Sequence, residues 1–225
     1  MADQKRAMII ITGGSINDAF ACDFINRHKN PYIIGADRGL VFLRNAGITP
    51  DEILGDFDSV TKEEVRSFFE NESIIKHEYK SEKDETDTQL AIMRATDLVC
   101  NDPGFGDVYI LGALGKRLDH TLATLQGLTF SYDRGVSVYV YDTHNKVYIA
   151  PKDFCIKKDT QYGNYVSFIP LSETVTGLSL SGFKYNLSDY TLTVNKSLAT
   201  SNEISDGSTH VSYKSGYLLC IESKD

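Results

Sequence analysis

Residues 8–36 read MIIITGGSINDAFACDFINRHKNPYIIGA, in which two short apolar runs flank a longer segment. The runs Met8 to Thr12 and Tyr32 to Ala36 are rich in β-branched side chains, which is typical of buried strands. Residues 18–28 have the length and the apolar spacing of a helix. A strand, a helix and a second strand in succession predict the repeating unit of an α/β sheet.

The same alternation continues to about residue 143. It predicts further strands at residues 52–55, 73–77, 108–112 and 136–141, and further helices at about 39–46, 61–70, 87–99 and 119–132. Two of these helices begin with the pattern of a capping box, Thr61 to Glu64 and Thr86 to Gln89.

After about residue 144 the helical period gives way to Tyr, Thr, Ser and Val interrupted by glycines, a pattern of short strands and tight turns. We therefore predict a parallel-sheet α/β domain at residues 1–143, followed by an all-β domain at residues 144–225.

The composition excludes several classes of partner. The chain has 225 residues and a net charge of −8, so it offers no basic field to attract a nucleic acid or an anionic membrane.

The cysteines and the first residues bear on the cellular location. The four cysteines are widely separated and show no metal-ligand spacing, which favours free thiols in a reducing compartment. The apolar run near the start is too short for a signal peptide or a membrane span. We therefore expect a cytoplasmic protein.

Carboxylates recur where the predicted strands end. One aspartate stands in GADRG (35–39), directly after a predicted strand, two stand in GDFDS (55–59), two in KDETD (83–87) and one in GALGKRLDH (112–120). They are Asp37, Asp56, Asp58, Asp84, Asp87 and Asp119. Open α/β sheets bind ligands beyond the carboxyl ends of their strands, so these side chains are candidate site residues. Any one of them alone would more commonly be a helix cap or a turn residue. This structural alternative is strongest for Asp84.

Charge repulsion links this group to a cation. Two carboxylates about 5 Å apart repel each other by about 3 kcal/mol at an effective dielectric constant near 20. A bound cation removes that cost, and an oxygen-only ligand set without Cys or paired His favours Mg²⁺, which also binds substrate phosphates. The sequence therefore predicts Mg²⁺ together with ATP.

Other residues suit an anion. Lys116 and Arg117 stand at the start of a predicted helix, where backbone N–H groups favour phosphate, although a surface ion pair is an equal alternative for Arg117. His120 could contact the nucleotide or cap the helix. Gly13 and Gly14 follow the first strand and could approach a nucleotide or simply form a turn, since neither a P-loop nor a complete dinucleotide-binding motif is present.

In order along the chain, Asp37, GDFDS, KDETD and the run Gly115 to His120 resemble the thiamine pyrophosphokinase family. The run Gly182 to Tyr185 (GFKY) and the run Ser201 to Glu203 (SNE) extend the resemblance into the β half. It implies a homodimer in which an α/β domain binds the nucleotide, a β-sandwich helps to bind thiamine, and two subunits complete each site. The reaction so implied moves the diphosphate of ATP to the hydroxyl of thiamine and releases AMP.

The resemblance also implies roles for individual residues. Asp56, Asp58 and Asp87 would hold Mg²⁺ with the phosphates of ATP. The nucleotide and the reaction centre would be lined by Asp37, Thr86, Arg117 and Asp119. Asp84 and His120 are further candidate contacts because of their places in the acidic motifs, not because of the resemblance. Lys83 would lie near thiamine, and Ser201 and Asn202 would contact or frame it. The proton of the hydroxyl could be accepted by Asp56, Asp58 or Asp119, and the sequence does not choose among them.

The chain departs from the family pattern locally. It reads ADRG where ADGG is frequent, it has Thr124 where asparagine is common, and Asn186 replaces a common proline. With no Trp in the chain, any aromatic stacking on thiamine must use Tyr or Phe. Two rival functions remain, a metal-dependent nucleotide hydrolase and a non-catalytic protein that binds thiamine or nucleotide.

Overall fold

The structure is a computed structural model that describes residues 5–57, 61–80, 82, 84–205 and 207–225. The residues up to Thr143 form one compact unit, and those from His144 onward form a second.

The first unit is a parallel sheet with helices between its strands. Its strands lie side by side in the order β4-β3-β2-β1-β5-β6, and each neighbouring pair is parallel. They are β1 (Arg6–Ile11), β2 (Tyr32–Ala36), β3 (Glu52–Gly55), β4 (Ile75–Glu78), β5 (Phe105–Leu111) and β6 (Val138–Tyr141). The helices are α1 (Asp18–Asn26), α2 (Gly39–Asn45), α3 (Lys62–Glu70), α4 (Asp87–Asn101) and α5 (Leu118–Tyr132).

This strand order creates a switch point between β1 and β5. The chain moves from β1 outward through β2, β3 and β4, and then returns to the other side of β1 to form β5. The connections after β1 and β5 therefore diverge, and they open a crevice at the carboxyl ends of these two strands. The buried faces of Ile9 and Ile11 on β1, together with Phe24, Leu40 and other apolar side chains, form the core beneath that crevice.

Local capping fixes the starts of the helices. Thr61 and Glu64 form a complete capping box at α3, as the sequence predicts. At α4, the Oγ1 of Thr86 accepts a hydrogen bond from the backbone N–H of Gln89 at 3.2 Å. This cap places Asp87 in the first turn of α4, where its negative charge is favoured by the helix dipole.

The second unit contains two antiparallel sheets, one in the order β7-β13-β9 and the other in the order β11-β10-β12-β8. Their strands are β7 (Asn145–Ile149), β8 (Asp153–Phe154), β9 (Tyr165–Pro170), β10 (Thr174–Ser181), β11 (Leu187–Thr193), β12 (His210–Ser212) and β13 (Leu218–Ser223). Phe168 of β9 packs edge-on against Phe183, which follows β10, with the ring centres 5.8 Å apart. The unit is thus an all-β sandwich.

The predicted fold class, a parallel α/β region followed by an all-β region, is confirmed. The strand predicted at 73–77 lies at Ile75–Glu78, and the one predicted at 108–112 begins earlier, at Phe105. Within the described part of the chain, no helix combines the length and the apolarity needed to cross a bilayer.

Candidate active site

Three predicted carboxylates lie at one edge of the parallel sheet. Asp37 directly follows β2, Asp56 directly follows β3, and Asp87 begins α4. Two of them rest against glycines. A β-carbon placed on Gly13 would lie 2.7 Å from Oδ2 of Asp37, and one placed on Gly55 would lie 3.3 Å from Oδ2 of Asp87. We call Asp37, Asp56 and Asp87 the acidic cluster.

The electrostatics of Asp37 show that the acidic cluster is close together. Burial raises the pKa of the Asp37 carboxyl, and the negative charges of Asp87 and Asp56 raise it further. A hydrogen bond from the backbone N–H of Arg38, and the charge of the same residue, act in the opposite direction but do not cancel the rise. The ionised cluster is therefore held at an electrostatic cost, which a bound cation would offset.

The backbone at this edge adopts conformations that ordinary residues seldom take. Asp37 has φ 50° and Phe57 has φ 55°, both in the left-handed region, and Gly55 has φ 144°. Such positions concentrate at binding sites, because the surrounding fold must hold them in place.

A crevice of about 410 Å³ opens at the switch point between β1 and β5. Its wall includes Asp37 of the acidic cluster and the predicted glycines. The lining residues are Thr12, Gly13, Gly14, Asp37, Arg38, Thr88, Gly112, Ala113, Gly115, Lys116, Arg117, His120 and Thr124. Gly14 donates a 2.6 Å backbone hydrogen bond to the carbonyl of Gly112, and a β-carbon on Gly14 would lie 2.2 Å from that oxygen. The glycine is therefore required for the two strand ends to meet.

Arg117 and Asp119 form an ion pair at the mouth of this crevice. Nη2 of Arg117 lies 2.6 Å from Oδ2 of Asp119, and Nε lies 3.2 Å from Oδ1, so the contact is bidentate. Both side chains are exposed, and the hydrogen bond from Arg117 lowers the pKa of Asp119. A phosphate entering the crevice would compete with Asp119 for the guanidinium. Of the two alternatives for Arg117, the structure shows the surface ion pair, and the phosphate contact stays a prediction.

Some of the predicted site residues lie outside the described residues or have a different environment from the one predicted. Asp58 and Lys83 lie outside the described residues. Asp84 is exposed just before α4, and Thr86 is engaged as the helix cap. Across the described ranges, no three Asp, Glu, His or Cys side chains are arranged to hold a metal ion by themselves.

Two residues of the crevice were not singled out from sequence. Arg38 supplies a backbone N–H and a positive charge to Asp37, and Thr88 hydrogen-bonds the hydroxyl of Thr12 at 2.7 Å. The position of Arg38, directly after a strand-end aspartate, was a usable signal. The pairing of Thr88 with Thr12 carries no local sequence signal.

In the second unit, Asn202 is buried and holds the GFKY run. Its Oδ1 accepts hydrogen bonds from the backbone N–H groups of Tyr185 and Glu203, each at 3.0 Å, and its Nδ2 donates to the carbonyl of Tyr185 at 2.8 Å. Lys184 and Glu203 add an ion pair of 2.9 Å between the same two motifs. Of the two alternatives for Asn202, contacting or framing a ligand, this geometry favours framing.

Ser201 and Tyr185, which both adjoin Asn202, are exposed. Ser201 adopts φ 53° and donates its backbone N–H to Oγ of Ser167 at 2.9 Å. The ring of Tyr185 projects outward, and 59% of that residue is exposed. The two motifs therefore present an aromatic surface on a braced backbone.

Comparison with known proteins gives a consistent result. The model of the family described as thiamin pyrophosphokinase, catalytic domain, matches residues 26–140, and that of thiamin pyrophosphokinase, vitamin B1 binding domain, matches residues 153–218. The chain is 37% identical over 193 residues to the thiamine pyrophosphokinase of Bacillus subtilis, covering 85% of this chain and 87% of the relative.

Solved structures agree with these matches. The crystal structure of the Bacillus subtilis thiamine pyrophosphokinase superposes with a TM-score of 0.82 at 32% identity, covering 98% of this chain and 100% of that one. The thiamin pyrophosphokinase of Geobacillus thermodenitrificans gives a TM-score of 0.81 at 29% identity, covering 97% of this chain and 98% of that one.

Proposed function

We propose, because the chain belongs to the thiamine pyrophosphokinase family, that it transfers the terminal diphosphate of ATP to the hydroxyl of thiamine and releases AMP. The observation that carries this proposal is the acidic cluster, which gathers carboxylates from two strand ends and a helix start beside the crevice. The first unit would bind ATP and the metal, and the second would contribute to thiamine binding. The resemblance further implies a homodimer, with two subunits completing each site. The widely separated cysteines and the short apolar run near the start favour the cytoplasm.

The chemistry of the cluster suits Mg²⁺. Its donors are carboxylate oxygens, and Asp56, Asp58 and Asp87 would hold the ion together with water and the phosphates of ATP, all of them the hard oxygen ligands that Mg²⁺ prefers. When bound, Mg²⁺ would neutralise charge on the transferred group. Asp37 would then act beside the ligands, because Arg38 already holds it.

The remaining crevice residues would place the nucleotide. The guanidinium of Arg117 is a donor suited to phosphate oxygens, and His120 lies on the same wall. The backbone N–H groups of Gly13 and Gly14 already donate to Thr12 and Gly112, so these glycines would only allow the backbone to approach the nucleotide closely. Transfers of this kind depend on alignment and charge neutralisation more than on covalent help from the protein. Asp119 is a weak proton acceptor while Arg117 holds it, so a role as base would require that pair to open first.

Product analysis tests the proposed reaction. Incubation with ATP, MgCl₂ and thiamine should give thiamine diphosphate and AMP in equal amounts, because attack at the β-phosphorus makes AMP the leaving group. Formation of ADP and thiamine monophosphate would contradict the proposal. AMP release that does not depend on thiamine would instead support a nucleotide hydrolase.

Tyr185 is the aromatic side chain that we propose for thiamine stacking. Its ring is exposed and its backbone is held by Asn202. The ammonium of Lys184 lies 5.7 Å from the ring centre, so the ring is placed to attract a cation such as a cationic heterocycle. Tyr185→Ala should raise the KM for thiamine about 10-fold, as expected for loss of one such contact, with little change in the KM for ATP. Tyr185→Phe keeps the ring and should behave like wild type. As a control, Tyr190→Ala removes a partly exposed tyrosine of the same unit. An equal thiamine KM in Tyr185→Ala and wild type would exclude stacking at this position.

A further inference from the structure

Helix α4 is held against the sheet at two levels by buried polar contacts. At its first turn, Oγ1 of Thr88 lies 2.7 Å from Oγ1 of Thr12, which directly follows β1. Both residues are buried, and Thr12 Oγ1 also accepts a hydrogen bond from the backbone N–H of Gly13 at 2.8 Å. The start of α4 is thereby tied to the strand end that lines the crevice.

The second level lies about two turns further along α4. Nε and Nη2 of Arg94 donate to the two carboxylate oxygens of Glu52 at 2.8 and 2.7 Å. Glu52 is fully buried, and it also accepts from the hydroxyl of Tyr32 at 2.6 Å and lies 3.1 Å from Nε2 of His77. Burial alone would raise the pKa of Glu52, but the hydrogen bonds from Arg94 and Tyr32 outweigh it and the pKa is lowered. Glu52 is therefore an ionised anchor for Arg94.

The contact between Arg94 and Glu52 also sets the height of α4 along β3. Asp87 lies against Gly55 at the end of β3, while Arg94 binds Glu52 at the beginning of that strand. Asp87 and Arg94 are separated by about 10 Å of helix, and Glu52 and Gly55 by about 10 Å of extended strand. The spacings match, so that a helix anchored at Glu52 presents Asp87 at the level of Gly55 and of Asp56, the next residue along the chain.

We propose that the Thr12–Thr88 hydroxyl pair and the Glu52–Arg94 ion pair are positioning residues that set the place of Asp87 within the acidic cluster. This inference rests on the proposed function, in which Asp87 takes part in holding Mg²⁺. The carboxylate of Asp87 is carried on the first turn of α4. The two contacts join that helix to Thr12 at the end of β1 and to Glu52 of β3, in addition to its apolar packing.

The same helix provides a matched control. Oγ1 of Thr96 lies 2.7 Å from Oγ of Ser131 on α5 and donates to the carbonyl of Ile92. This hydroxyl pair is also buried and has the same length as the Thr12–Thr88 pair, but it joins α4 to α5 at a distance from the crevice. Thr88→Val and Thr96→Val therefore each remove one buried hydroxyl from α4, and only the former change touches the proposed positioning contact.

The test is a MgCl₂ titration at a fixed concentration of a non-hydrolysable ATP analogue, with the melting temperature as readout. Thr88→Val should raise the MgCl₂ concentration for half of the maximal thermal shift about 5-fold, the change expected for one hydrogen bond, and should raise the Mg²⁺ requirement of turnover in parallel. Thr96→Val should lower the melting temperature but keep the wild-type Mg²⁺ midpoint. Thr88→Ser restores the hydroxyl and should restore that midpoint.

Arg94→Lys provides an independent variant if Thr88→Val does not fold, because lysine keeps the charge but loses the bidentate geometry, and it should also raise the Mg²⁺ midpoint. Equal midpoints for Thr88→Val, Arg94→Lys and Thr96→Val would overturn the positioning role while leaving the proposed reaction intact. A wild-type protein that makes no thiamine diphosphate would overturn the reaction instead. A wild-type protein without any Mg²⁺-dependent shift would overturn the positioning role together with the metal site.

Discussion

Asp87→Asn should reduce kcat by on the order of 10²-fold or more while leaving the fold intact. The substitution keeps the size of the side chain and its place in the first turn of α4, but it removes the negative charge that would face Mg²⁺ and the phosphates. Since the carboxylate lies against Gly55 and acts electrostatically on Asp37, the loss of charge falls in the centre of the acidic cluster. Steady-state formation of thiamine diphosphate and the far-ultraviolet circular dichroism spectrum measure the two effects separately.

Asp97→Asn is the matched control for this prediction. Asp97 is exposed on the same helix, so the change has the same chemistry and the same effect on net charge, but it lies away from the crevice. Activity close to wild type is expected for Asp97→Asn. If Asp87→Asn also retained more than about half of the wild-type kcat at saturating Mg²⁺, the proposed role of Asp87 would be wrong.

The acidic cluster could be predicted because its first two members need only one condition, that β2 and β3 are neighbours in a parallel sheet. Asp37 and Asp56 each directly follow a β-branched run, and the carboxyl ends of all parallel strands of a sheet meet at the same edge. Any parallel arrangement of β2 and β3 as neighbours brings these two residues together. The start of α4 follows from its Thr86 cap, which a local pattern also reveals.

The contacts that hold α4 could not be predicted in the same way. Glu52 lies inside a run that the sequence identifies as a strand, and nothing in that run indicates that its carboxylate binds a residue 42 positions later. Thr12 and Thr88 are 76 positions apart, and the burial of both hydroxyls depends on how the helix crosses the sheet. Asn202 is a similar case, because its use as a backbone brace for Tyr185 requires the two motifs to be neighbours in the β-sandwich.

Asp37→Asn should make the protein more stable and less active at neutral pH. The folded state raises the pKa of this carboxyl above its ordinary value of 3.8, through burial and the charges of Asp87 and Asp56, so ionised Asp37 lowers the free energy of unfolding. Asparagine removes that charge and is tolerated at φ 50°. The melting temperature should therefore rise, whereas turnover should fall about 10- to 100-fold, the range typical of groups that support a metal site.

The pH and Mg²⁺ dependence of that stability gain tests whether the ionised Asp37 carboxylate, with its raised pKa, is the cause of the gain. A raised pKa destabilises the folded state at pH values above it, so the gain from Asp37→Asn should be complete near pH 7, shrink as the pH falls through the raised pKa, and vanish below about pH 3.8, where wild-type Asp37 is protonated in both states. Saturating Mg²⁺ together with an ATP analogue should narrow the difference in melting temperature between wild type and Asp37→Asn, because a cation relieves the repulsion among the carboxylates of the wild type. Asp37→Ala is the control. Alanine also removes the charge, but it is strained at a positive φ, so the melting temperature should rise less than in Asp37→Asn. Identical melting temperatures for wild type and Asp37→Asn between pH 4 and pH 8 would mean that neither burial nor the neighbouring carboxylates destabilise ionised Asp37, and that the cluster has no electrostatic cost for a cation to offset.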